Sequence, residues 1–94
     1  MADDVRIRER IAEIAGRPKN VTLDEIEWVM KQLHTQGYKV TKRKARHGFL
    51  WSATDGQTVA RFMINAHNPG SRQVKGYSVG EFVDAMMKLG FYDE

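Results

Sequence analysis

Apolar residues recur along this chain with two different periods, and the switch between them sets out the elements. From Asp3 to Ala15 the apolar positions Val5, Ile11, Ile14 and Ala15 make a loose helical stripe, with acids in the first turn where the helix dipole favours them. Gly16 and Pro18 end it. Thr22-Leu23-Asp24-Glu25 is a capping box, and Leu23, Ile26, Val29, Met30 and Leu33 follow at helical spacing. Gly37 is the expected residue just beyond that helix. The period then changes to two. Tyr38 to Lys42 alternates as a strand, and Arg43-Lys44-Ala45 reads as a turn or an edge leading to His47. Phe49 to Thr54 and Gln57 to Asn65 flank Asp55-Gly56, which predicts a hairpin.

A two-residue hairpin loop would set Thr54 against Gln57, Phe49 against Phe62, Trp51 against Ala60 and His47 against Ile64. The last three pairs share a face that helices should cover, while Ser52, Arg61 and Met63 take the other. A polar, basic loop is expected from Ser71 to Tyr77. Ser78-Val79-Gly80-Glu81 reads as a second capping box, opening a helix with Phe82, Ala85, Met86 and Leu89 on one face. Gly90 should end it, and Phe91-Tyr92 should fold back on the core. The predicted class is α+β, a three-stranded antiparallel sheet with helices on one face. Its α-β-β-β-α order is that of a double-stranded-RNA-binding domain, preceded by an extra N-terminal helix. The predicted division is a charged helix at 1–16 and the main domain at 20–94. The first helix, rich in arginine and acids, reads as peripheral or as a partner-binding appendage.

Composition narrows the function. Ninety-four residues without cysteine exclude disulfides, thiolate metal sites and cysteine nucleophiles. No apolar run approaches the ~20 residues that span a bilayer, so a cytoplasmic protein is expected. The net charge of +3 is mild, but Lys39, Lys42, Arg43, Lys44 and Arg46 cluster while the acids lie mostly toward the two ends. A concentrated cationic surface suits phosphate recognition, and it equally suits a solvated edge strand guarded by lysines.

His47 closes this basic run, and His67 follows the last strand at the same end of the predicted hairpin. RNA can be cut without a metal when a base takes the 2′-OH proton and an acid protonates the leaving 5′-oxygen. Histidine suits both roles. Cations beside an imidazole favour its neutral form, which a base requires, and would stabilise the developing phosphorane charge. His47 and His67 are therefore candidate catalytic groups. Lys42, Arg43, Lys44, Arg46, Arg72 and Lys75 are candidate RNA contacts. Each histidine also has a plainer reading, His47 capping the strand edge and His67 bonding within the Asn68-Pro69-Gly70 turn. His34 reads as a surface histidine at a helix end. Histidines this far apart lack metal-ligand spacing, and the glycines match no phosphate loop or dinucleotide fingerprint. No metal and no cofactor are expected.

From Asn20 to about Phe91 the chain resembles HicA, the small toxin of a bacterial toxin–antitoxin pair. The resemblance lies in Gly37-Tyr38-Lys39-Val40 after a helix, a basic segment reaching His47, and His67-Asn68-Pro69-Gly70. It continues through Lys75-Gly76 and a last helix ending in Lys88-Leu89-Gly90-Phe91. It implies an mRNA interferase that cleaves RNA without metal on a double-stranded-RNA-binding-like fold, inactivated by a HicB-type antitoxin. The family's active histidine aligns with His47. Lys44-Ala45 stand where the family has glycine and serine. Two other readings remain open, a non-catalytic RNA- or DNA-binding domain of the same fold and a protein-interaction module docked through the first helix. A homodimer is also left open.

Overall fold

The computed structural model describes residues 3–66 and 71–93, in the order α1 (Asp4–Gly16), α2 (Leu23–Thr35), β1 (Lys39–Lys44), β2 (Gly48–Thr54), β3 (Val59–Asn65) and α3 (Gly76–Lys88). The strands form one antiparallel sheet in the order β1-β2-β3. Strand α–β packing puts α3 against β3 and α2 beside β1, so the helices cover one face as the alternation predicts. Trp51, Ala53, Ala60, Phe62 and Ile64 point into the core, while Thr41, Ser52 and Arg61 lie on the open face, where the Thr41 and Ser52 hydroxyls meet at 2.8 Å. No helix among the described residues is long and apolar enough to cross a membrane.

The second helix follows its sequence closely. Thr22 and Glu25 complete the capping box, and Leu23, Ile26, Val29, Met30 and Leu33 are all buried. Its C-terminus is a Schellman motif. Gly37, at φ +100°, donates to His34 O and Tyr38 donates to Leu33 O, which satisfies two orphan carbonyls. The last helix ends in the same way. Gly90, at φ +85°, donates to Met87 O, and Phe91 donates to Met86 O. Phe91 folds back as expected, edge-on to Tyr38 with ring centroids 5.7 Å apart.

Three expectations change. The first helix is not peripheral, because Ile7, Ile11 and Ile14 are fully buried in the same core as α2, α3 and the sheet. Val5, which the sequence suggested for the stripe, is exposed; the buried stripe is Ile7, Ile11 and Ile14, an i, i+4, i+7 set. Arg8 lies 5.2 Å from the Phe91 ring centre and Arg10 4.9 Å from that of Trp28, so the arginines of α1 cover aromatic rings on its neighbours.

The β2–β3 turn is longer than two residues. Thr54 pairs with Val59, Phe49 with Ile64 and Trp51 with Phe62. The Asp55 carboxylate accepts from the amides of Gln57 and Thr58, both at 2.8 Å, and Gly56 supplies φ +99°. Those amides, Thr58 first, hold the Asp55 carboxyl below its usual range. The wider turn moves every partner by two positions, so the faces are preserved while the pairs change.

The third change is at α3, which starts at Gly76 with Lys75 as its N-cap residue and no side-chain cap. Ser78 is not a cap. It is fully buried, and its hydroxyl accepts from the Asn65 amide at 2.9 Å, fastening the end of β3 to the helix.

Between α1 and α2, the Arg17 guanidinium grips the Glu25 carboxylate. Partial burial works against the charged carboxylate, but the hydrogen bond and charge of Arg17 outweigh it and hold Glu25 below the usual carboxylate range. Two outcomes follow. Ile11→Ala should cost about 3 kcal/mol in denaturant unfolding, whereas a peripheral helix would lose almost nothing. The depressed Glu25 value contributes stability that is complete above its unfolded value of ~4.3 and is lost as pH falls through the folded value. The stability difference between wild type and Arg17→Met should therefore hold steady above about pH 5 and shrink as the pH falls below it.

Candidate nucleic-acid interface

The chain turns between β1 and β2 through Ala45-Arg46-His47-Gly48, closed by the Ala45 amide donating to Gly48 O at 2.8 Å. Arg46 and His47 are the two tip residues, and both are exposed. No described residue other than glycine has positive φ, so this is not one of the primed turns that two-residue hairpins favour. His47 is thus a turn residue and not the last residue of the aromatic face. Its carbonyl accepts from Ala66 at 3.4 Å, so the register places it against Ala66 and not Ile64.

Gly48 is what brings the strands together here. A Cβ on it would lie 1.8 Å from Ile64 O and within 3 Å of two more backbone atoms of β3. Any side chain at that position would push β3 away.

The basic strand runs from this tip along the edge of the sheet. Arg43 lies on the open face, opposite Leu50, and Lys44 and Arg46 continue toward the tip, all exposed. Among the described residues no acceptor holds the side chains of Lys39, Arg43, Lys44 or Arg46. Lys42 is different. It points to the helix side, where its ammonium donates to Glu27 at 3.1 Å and sits 4.1 Å from the Phe49 ring centre. Arg72 is likewise bound, by the Asp24 carboxylate in the first turn of α2.

The segment after residue 70 is not a free loop. Gln73 bridges Thr22, Val74 bridges Ala66, and the Val74 amide donates to Val21 O at 2.9 Å. The Lys75 amide donates to Asn65 O, so Lys75 lies two strand spacings, about 10 Å, across from Gly48. Its ammonium is 5.9 Å from the ring centre of Tyr77, whose hydroxyl accepts from the Asn65 side chain. Tyr77 is 57% exposed. No local signal singles it out, because only the pairing of β3 with the segment at 73–75 carries it to this end of the sheet. His67, with Asn68-Pro69-Gly70, lies outside the described residues.

One end of the sheet therefore gathers Arg43, Lys44, Arg46 and His47 on the hairpin, with Lys75 and Tyr77 beside β3. Among the described residues it is a cationic surface with one exposed imidazole and one exposed aromatic ring. Among the described residues no group of histidines and carboxylates could hold a metal ion. No protein-family model matches the chain, and no curated protein or solved structure does. Gly48→Ala should lower stability by about 3 kcal/mol through overpacking against β3, read from the denaturant midpoint, and should shift the amide resonances of Arg46 and His47.

Proposed function

We propose that this protein is a HicA-like, metal-independent endoribonuclease that engages RNA through the β1–β2 hairpin. The observation that carries the reading is the tip itself, an exposed His47 beside Arg46 at the end of a strand whose lysines and arginine have charge to offer phosphates. Arg43, Lys44 and Arg46 hold the backbone, Lys75 adds a cation across the sheet end, and Tyr77 offers a ring on which a base can stack. His47 acts as the general base or acid, and His67 is proposed as the second proton-transfer group. A HicB-type antitoxin would silence the protein by covering the hairpin tip. Lys42 and Arg72, bound to Glu27 and Asp24, are weaker contacts than their positions in the sequence suggested.

A second reading has its own support. Arg46 and His47 are exposed tip residues of a tight turn, whereas most catalytic groups line a cleft, and this favours binding without cleavage. Cleavage of a labelled single-stranded RNA in EDTA, with wild type and His47→Ala side by side, separates the two. The nuclease reading expects products from wild type only, with RNA affinity retained by the variant. Equal cleavage by both proteins removes His47 from the chemistry, and absence of products with salt-dependent binding leaves the binding reading. In either case, four phosphate contacts give a slope of log K against log salt of about −3.

A further inference from the structure

The edge of β1 away from β2 is a second feature, distinct from the tip. The Ala45–Gly48 hydrogen bond fixes which residues of β1 turn their backbone groups inward. In an antiparallel ladder these alternate, so Lys39, Thr41 and Arg43 bond to β2, while Val40, Lys42 and Lys44 present N–H and C=O outward. Among the described residues no backbone partner meets them.

That free edge borders a groove of about 350 Å³ between β1 and α2. Its floor is Met30, Val40 and Trp51, and its rim is Lys31, His34 and Lys42, with Glu27 the one acid and already neutralised by Lys42. Two of the three residues with outward backbone groups, Val40 and Lys42, are also groove residues. A row of free amides and carbonyls beside an apolar slot selects an extended polypeptide, because it can add a strand and seat alternate side chains. Nucleic acid has no complement for that row.

We infer that the β1–α2 groove binds an acidic, extended segment of a partner protein as a fourth strand on β1. The alternation of the sheet specifies what that segment looks like. Residues set against Val40 point into the groove and are apolar. Residues set against Lys39 and Arg43 point to the open face and are acidic, since cross-strand pairs of opposite charge are favourable. The recognised pattern is apolar and acidic in alternation. This inference does not depend on RNA cleavage.

The test uses the full chain and a capped peptide of about seven residues, alternating glutamate with valine or leucine, which is long enough to span β1 at ~3.3 Å per residue. Titration should shift the amide resonances of Val40, Lys42 and Met30. Two versions of the peptide, N-methylated on alternate amides, locate its backbone bonds. One set should bind about tenfold more weakly, the loss of one or two hydrogen bonds, and the other should bind as the parent. Lys31→Gln with His34→Gln, both at exposed positions, should also weaken binding with little change in the thermal midpoint. No binding, equal effects of the two methylated peptides, or the same shifts at Val40 and Met30 from a single-stranded oligonucleotide would each overturn the proposal.

Discussion

The absence of a side chain at Gly48 is the constraint on which the working end of this protein depends. β3 runs so close to β2 there that its backbone occupies the space a Cβ would need. Because the strands meet at that point, the β2–β3 pairing runs up to the hairpin tip, where the Ala66 amide donates to His47 O. The same closeness lets Asn65 face the segment at 73–75, which the Lys75 amide, the Ser78 hydroxyl and the Tyr77 hydroxyl then secure. A cationic tip and a lysine–tyrosine pair thus share one end of the sheet because one residue is missing its side chain.

The fold was readable wherever the signals are local. Helix α2 has its cap, its stripe and its terminal glycine within consecutive turns, and each did what its chemistry dictates. The misreadings arose where one side chain had two uses. Ser78 sits in a sequence that spells a capping box, but its hydroxyl is spent on the Asn65 amide, thirteen residues back in the chain. Asp55-Gly56 spells a two-residue turn, but the Asp55 carboxylate collects two further amides and widens it. The faces survived because a shift by an even number keeps every side chain on its own side.

The site was legible as a run of charge but not as an arrangement. Sequence placed Lys42, Arg43, Lys44 and Arg46 together without distinction. Strand alternation sends Lys42 inward to Glu27 and leaves Arg43 outside. The Arg72–Asp24 pair joins residues 48 apart, and nothing local announces it. For the same reason α1 read as peripheral or as a partner-binding appendage from its charges alone, although its arginines lie over rings supplied by α2 and the C-terminal segment.

The twin helix endings have a mechanical meaning. Each Schellman motif delivers an aromatic residue just past its glycine, and those two residues, Tyr38 and Phe91, press edge to face. Tyr38 is also the last residue before β1, so the root of the hairpin is clamped to the exit of the final helix. The tip lies about 20 Å farther along β1, where β2 and the Ala66 amide hold it. The hairpin is thus held at its root by two rings and along β2 by its pairing with β3. A ligand that pulls on Arg46 or His47 acts at its longest lever arm.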